Sequence, residues 1–226
     1  MDSKKIVAKE VLKMIEREEL IGLGTGSTVM ELVKLMNEFN MIKGKKFICS
    51  SLETEEAVSK MGGLVLSPFS INGGIDLYID SFDEIDDELN LLKGGGGAFL
   101  REKVLAFNSK KRIFIGEKSK EVKRLSSNFP IPIEVVPFSL PFIIPSLSSS
   151  FSVKIRKGNL KRGPVISDNG NIIIDAIPLK KDLDPCRLDL HLKAIPGVVE
   201  TGIFCNNLVD LVLIADTSGI IREIRR

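Results

Sequence analysis

The sequence predicts an α/β protein: a Rossmann-like parallel-sheet domain joined to a smaller ferredoxin-like α+β domain. Three observations carry this. Strand-like and helix-like segments alternate from Glu19 to Glu117, the order that lays parallel strands side by side with helices on both faces. After Phe129 the order becomes strand, helix, strand, strand, helix, strand, which is a split βαβ unit. The chain has 226 residues, 43% of them hydrophobic, which is enough for one large or two modest cores. The expected division is 1–128 with 205–226 for the first domain and 129–204 for the second, a possible oligomer contact.

Each element follows in turn. "MDSKKIVAKEVLKMIEREEL" is a charged amphipathic helix without the apolar centre of a signal peptide. "ELIGLGTGSTVMELVKLMNEF" reads as strand, glycine turn, helix, and "KKFICSS" as a second strand. "LETEEAVSKM" is a helix whose Glu53, Glu55 and Glu56 sit near its start, where negative charge is favourable. "GIDLYID" alternates Ile75, Leu77 and Ile79 and ends in acids. "AFLREKVLAFNS" is a helix and "KKRIFIGE" a strand.

In the second domain, "FPIPIEVVPF" is a strand punctuated by proline. "SLPFIIPSLSSS" is ambiguous, because Pro141 and Pro145 interrupt any helix there. "FSVKIRKG" and "NIIIDAI" are strands flanking the turn "SDNGN", "CRLDLHLKAI" is a helix, and "GVVETGIF" is a strand. "DLVLIADTSGIIREI" is two strands about a turn, returning to the first domain.

Net charge is +2, with basic and acidic residues interspersed. That argues against nucleic acid and membrane as partners, while a small anionic ligand needs only two or three placed cations. The three cysteines, Cys49, Cys186 and Cys205, are widely separated and form no C-x-x-C pair. They read as reduced thiols of a cytosolic protein. The single histidine, His191, has no second histidine or cysteine at ligand spacing, so no metal site is expected on it.

Chemistry could sit in three places. "GLGTGST" (Gly22 to Thr28) lies where a strand meets a helix, and the helix N–H groups with the Thr25, Ser27 and Thr28 hydroxyls suit a phosphate. It is neither a dinucleotide fingerprint, since Ser27 stands where a glycine is required, nor a P-loop. A tight turn holding no ligand stays open as the alternative. "DSFDEIDDE" (Asp80 to Glu88) has six acids in nine residues. By default that is a solvated loop, but Asp80 and Asp83 fall at a strand's C-terminal end, where open parallel sheets hold ligands.

The third place is "LNLLKGGGGAFLREKVLAF" (Leu89 to Phe107). Glycine loses the most backbone entropy on folding, yet the flanks of this run are too apolar and charged for a linker. The glycines let the backbone wrap a ligand, with Lys93 beside them as a cation. Glu102 stands early in the following helix, and its neighbours Ala98, Phe99, Leu105 and Ala106 are all apolar. That setting disfavours the charged form and suits a general base. A glutamate placed there only by the helix dipole is the competing explanation.

Together, "GLGTGST", "IDSFDEIDDELNLLKGGGGAFLREK", "PIPIEVVPF", "SDNGN" and "IPGVVETGIF" resemble ribose-5-phosphate isomerase of type A, in order and over nearly the whole chain. The resemblance implies an aldose–ketose isomerase of the pentose phosphate pathway that interconverts ribose 5-phosphate and ribulose 5-phosphate. It implies no metal and no organic cofactor, a cytoplasmic location, a small sugar phosphate as partner, and a homodimer or homotetramer. Carried over by position, the substrate loop falls on Thr25, Gly26, Ser27 and Thr28. The family's D-G-A-D segment falls on Asp80, Ser81, Phe82 and Asp83, and its K-G-G-G segment on Lys93, Gly94, Gly95 and Gly96. The proton acceptor falls on Glu102, and a substrate-binding lysine on Lys120. Lys4 matches an N-terminal phosphate-binding lysine loosely.

Two departures stand out. Ser81 and Phe82 replace a Gly-Ala pair, bringing a bulky ring into a loop expected to line the site, and the helix after "PIEVVPF" is broken by prolines. Two rivals are a non-catalytic sugar-phosphate sensor and an amino-sugar phosphate deaminase on a related scaffold. The specific R-E-K block and the scarcity of histidine count against the second, and the lack of a spare helix-turn-helix segment against the first. A site built from amides, lysines and carboxylates predicts that isomerase activity survives exhaustive dialysis against EDTA. Activity lost there and restored by Mg²⁺ or Zn²⁺ would overturn this assignment.

Overall fold

The computed structural model describes residues 2–158, 162–180 and 183–226. It consists of two compact units: Met1–Phe82, Arg101–Glu121 and Asn207–Arg226 in the first, and Asp83–Leu100 and Val122–Asn206 in the second. This division differs from the sequence-based one. The segments 83–100 and 122–128, expected with the first domain, pack with the second unit, because Leu91–Leu92 pairs with Ile203–Phe204 and with Glu84–Ile85, and Val122 N donates to Ile85 O.

In chain order the elements begin with α1 (Ser3–Ile15), β1 (Leu20–Leu23), α2 (Ser27–Glu38) and β2 (Lys46–Cys49). Next come α3 (Leu52–Lys60), β3 (Leu64–Val65), β4 (Ile75–Ser81), β5 (Glu84–Ile85) and β6 (Leu91–Leu92). α4 (Phe99–Phe107), β7 (Ser109–Glu117), β8 (Ile131–Val135), α5 (Leu140–Leu147) and β9 (Phe151–Ile155) follow. The chain ends with β10 (Ile172–Pro178), α6 (Pro185–Lys193), β11 (Val198–Thr201), β12 (Ile203–Phe204), β13 (Leu211–Ala215) and β14 (Ile221–Arg225).

The helices start where their sequences say. The Asp2 carboxylate accepts from Lys4 N at the head of α1, and Ser51 Oγ from Thr54 N at the head of α3. Asp184 caps α6, with Pro185 in its first turn.

The first unit's sheet runs β14-β13-β7-β4-β1-β2-β3, parallel throughout except for β14. Alternate residues of its strands face opposite sides. Leu77, Ile79, Ile113, Ile115, Leu211 and Leu213 join a core with α1, α2 and Val58 of α3. Tyr78, Phe114, Val212 and Ile214 are buried on the other face, where the Tyr78 and Phe114 rings meet edge to face. The chain goes from β1 toward one edge and from β4 toward the other. The loops after β1 and β4 therefore flank the point where strand order reverses, the position at which such sheets receive ligands.

The second unit carries a four-stranded antiparallel sheet, β11-β8-β10-β9, with α5 and α6 as its crossovers: the ferredoxin-like order. Here α5 corrects the sequence expectation, since prolines do not prevent it. Pro141 lies in its first turn, where the N–H would have no helical partner, and Pro145 removes a single bond from a helix of eight residues. Ile143 and Leu147, one turn apart, anchor α5 to the sheet.

"GVVETGIF" is likewise two strands. It changes sheets at Gly202, where a Cβ would collide with Lys93 O and the Pro132 ring. The cysteine expectation also fails in part: Cys186 and Cys205 form a disulfide, with Cα atoms 5.6 Å apart. Separation along the chain hid this pair, because α6 folds back beside β12. Cys49 remains a thiol, pushed up to about 12 by burial and, next, by the Glu55 charge. Among the described residues no helix is long and apolar enough to cross a membrane, and none form a metal-binding cluster.

Glu84 holds the second unit's first loop together. Its buried carboxylate accepts the backbone N–H groups of Ser126, Ser127, Asn128 and Phe129. Glu84→Gln puts an amide NH₂ against that ring of donors. The variant should lose about 1–3 kcal/mol of stability, a typical cost for stranded buried donors. Urea denaturation checks this, and an unchanged midpoint would show that the four N–H groups find other acceptors.

Candidate active site

β1 ends in a turn that only these residues can make. Gly24 N donates to Ile79 O at 2.9 Å, and a Cβ on Gly24 would overlap the Asp80 carboxylate. Thr25 N reaches Asp80 Oδ1 at 3.3 Å, and Thr25 Oγ1 lies 2.8 Å from Ser50 Oγ at the end of β2. Thr54 Oγ1, on α3, donates to Gly24 O at 2.9 Å. Gly26 then takes φ +113° and enters α2 with no side-chain cap on the helix. The first-turn N–H groups of α2 are thus left without a side-chain cap, an arrangement that suits an anion. Lys4 Nζ stands 2.9 Å from Ser27 Oγ, which places a cation at this turn. The buried Thr28 Oγ1 has no hydrogen-bond partner among the described residues.

Asp80 is fully buried, and its carboxylate organises the turn. Oδ1 accepts from Ser81 N at 2.7 Å as well as from Thr25, while Oδ2 accepts from the Tyr78 hydroxyl. Burial holds the Tyr78 phenol well above its ordinary range, reinforced by the charges of Asp80 and then Glu102. Tyr78 therefore stays a proton donor, and the two carboxylates both act on it. Glu102 is 4% exposed, and its helical neighbours Ala98, Phe99, Leu105 and Ala106 are buried, as the apolar stripe in the sequence implied.

The second unit by itself carries Asp83, Lys93 and the glycines. Asp83 is partly exposed, and its Oδ2 accepts from Gly95 N at 2.9 Å. Lys93 is 2% exposed, with Nζ 5.5 Å from the centre of the Phe204 ring and its own N–H on Gly202 O. Gly94 has φ +108°, and a Cβ there would meet Pro132 and the Phe99 ring at 2.6 and 2.7 Å. Gly95 and Gly96 are exposed. The tetraglycine is a seated loop and not a linker.

Phe82 and Ser81 differ from what their place in the sequence suggested. The Phe82 ring is 1% exposed and packed on Gly116 of β7, whose lack of a Cβ makes the room. What Phe82 presents is its carbonyl, which accepts from Lys120 Nζ at 2.6 Å, with that ammonium 5.7 Å from the ring centre. Ser81 serves the first turn, its hydroxyl 3.5 Å from Thr25 O.

Sequence reasoning missed Tyr78, Ser50, Thr54 and Arg156. Tyr78 was readable in principle, because it shares Asp80's strand face two residues away. The others had no local signal.

An uncapped helix N-terminus beside lysine and hydroxyls, at the point where a parallel sheet's strand order reverses, is the setting of an α/β protein that takes a small phosphorylated molecule. Residues 46–219 match the family model for ribose 5-phosphate isomerase A (phosphoriboisomerase A). Ribose-5-phosphate isomerase A of Korarchaeum cryptofilum is 41% identical over 96% of this chain and 95% of its own. That of Treponema denticola is 43% identical over 83% and 81%. A solved D-ribose-5-phosphate isomerase in complex with phospho-erythronic acid superimposes with a TM-score of 0.93 at 37% identity, covering 100% of this chain and 98% of that one. For the Methanocaldococcus jannaschii enzyme the values are 0.91 and 34%, over 100% and 99%. The chain belongs to the ribose 5-phosphate isomerase A family, and it is an isomerase.

Phe82→Ala should cost about 3–5 kcal/mol of stability, as for other buried phenylalanines, with little change in substrate range. Denaturation and kinetics on the same preparation check this. Unchanged stability with bulkier sugar phosphates admitted would return the ring to the pocket.

Proposed function

We propose that the protein interconverts D-ribose 5-phosphate and D-ribulose 5-phosphate through an enediolate, with Glu102 as the base that carries the proton between C2 and C1. The observation that carries this is Glu102 itself, a carboxylate almost excluded from water on an apolar helix face and close enough to act on Tyr78 with Asp80. The reaction needs a base above adjacent carbons, donors for the developing oxyanion and a remote anchor.

In this reading the first-turn amides of α2, the Ser27 and Thr28 hydroxyls, Lys4 and Lys120 hold the 5-phosphate. Lys93 and the amides of Gly94 and Gly96 stabilise the enediolate oxygen, while the Gly95 N–H holds Asp83. Asp83, partly exposed, orients hydroxyls and assists ring opening. Asp80 has donors on both oxygens, so its part is to hold Thr25 and Ser81 in place. Phospho-erythronic acid, the ligand of the solved relative, offers a phosphate and a carboxylate to these two kinds of donor and is expected to bind here. Family membership removes the support for the sensor and deaminase readings.

The protein is further read as a cytoplasmic homo-oligomer. The Phe138 and Phe142 rings, largely exposed and 6.4 Å apart, support a subunit contact on the second unit. Only the reaction supports the cytoplasm, and the Cys186–Cys205 bond runs against it.

Glu102→Gln tests the mechanism. It keeps size and most hydrogen bonding while removing the basic oxygen. kcat should fall by about a hundred- to ten-thousandfold, the usual contribution of a general base. Binding of ribose 5-phosphate by calorimetry should stay within a few-fold of wild type, and exchange of the C2 proton with deuterated solvent should stop. Near-normal turnover, or continued exchange, would transfer the role to another carboxylate, with Asp83 next to test.

A further inference from the structure

Arg156 lies outside every motif discussed so far, yet it touches the glycine loop directly. It follows β9, and its guanidinium is split between two tasks. Nε reaches both oxygens of Asp175, at 3.2 and 3.0 Å, and Nη2 reaches Asp175 Oδ1 at 2.5 Å. The remaining nitrogen, Nη1, donates to Gly94 O at 2.6 Å and lies 3.4 Å from Gly95 O. Both partners are mostly buried, with side-chain exposures of 17% and 21%.

A trans peptide points its C=O and N–H in opposite directions. The Gly94–Gly95 peptide obeys this visibly: its carbonyl is on Arg156 and its N–H is on Asp83 Oδ2, 2.9 Å away. The next carbonyl, Gly95 O, lies on the side of the same Nη1. One peptide is thus held from both edges, by a guanidinium on its carbonyl and a carboxylate on its N–H. Glycine imposes no side-chain limit on φ, so this peptide's orientation is set by its partners: Arg156 shares Gly94 O with the Gly97 N–H, 3.0 Å away, and adds a charged donor to that turn bond.

We propose that Arg156, held by Asp175, is a positioning residue that fixes the Gly94–Gly95 peptide plane, so that an N–H and not a carbonyl meets Asp83 and the loop keeps its N–H edge toward the substrate. Arg suits the task because its planar fork serves a carboxylate on one edge and carbonyls on the other, which a lysine ammonium cannot do. The inference rests on the reading of Lys93 and the glycine amides as the oxyanion donors.

The test compares Arg156→Ala, Arg156→Lys and Lys93→Ala in the full-length enzyme, with thermal denaturation alongside kinetics. Removing one preorganised oxyanion donor costs about a hundred- to a thousandfold in kcat. Arg156→Ala should lose kcat on that order or somewhat less, with KM within about threefold, because the phosphate anchor is elsewhere. Added guanidinium ion at millimolar levels should restore part of the lost kcat in Arg156→Ala, and methylammonium should not. Arg156→Lys should remain impaired in kcat with a melting temperature near wild type, and it decides the matter if Arg156→Ala does not fold. A kcat within twofold of wild type in either folded variant, while Lys93→Ala is crippled, overturns the role of Arg156 alone. If Lys93→Ala is also unimpaired, the oxyanion reading falls and the positioning role falls with it.

Discussion

A carboxylate withdrawn from water must be met by donors, or it costs several kcal/mol to keep there. In the first unit Asp80 imposes that requirement on everything around it. It sits at the end of β4, fully buried, and draws the amides of Thr25 and Ser81 and the phenol of Tyr78 onto its two oxygens. Gly24 is glycine because the carboxylate occupies the space of its Cβ. Thr25 is pulled down, Gly26 can then turn through positive φ, and α2 starts with its first amides uncapped. The uncapped helix start is thus a consequence of satisfying Asp80.

The second unit repeats the device with other acids. Glu84 gathers four backbone amides from the loop after Val122. Asp86 accepts from Asn90 N at 2.8 Å and from Asn90 Nδ2 at 3.0 Å, closing the turn between β5 and β6. Glu134, fully buried on β8, accepts from Ser167 Oγ, Asn169 Nδ2 and Asn171 Nδ2, which accounts for the polar residues of "SDNGN". A run of acids that composition alone assigns to solvent therefore serves as a set of internal anchors. Asp83, by contrast with Asp80 and Glu102, is partly exposed and accepts from Gly95 N.

Bulky residues are accommodated by the same economy of glycine. Phe82 finds its space over Gly116, and the turn between the strands ending at Thr201 and starting at Ile203 closes over Lys93 and Pro132 only because Gly202 has no side chain. The bulky Phe82 beside Asp80 is thus absorbed within the first unit by packing on Gly116.

The sequence by itself determined the parallel sheet, the ferredoxin-like order, the turn after β1 and the apolar setting of Glu102. All of these are properties of residues close along the chain, where a period of 2 or 3.6 or a turn residue carries the information. It also supplied the family through motifs in order. Tertiary structure alone decided that Phe82 is core, that Asp80 is consumed by its neighbours, that Cys186 meets Cys205, and that Arg156 reaches the glycine carbonyls across 62 and 61 residues. Each depends on which distant backbone a side chain meets, and a pattern local in sequence holds no record of that.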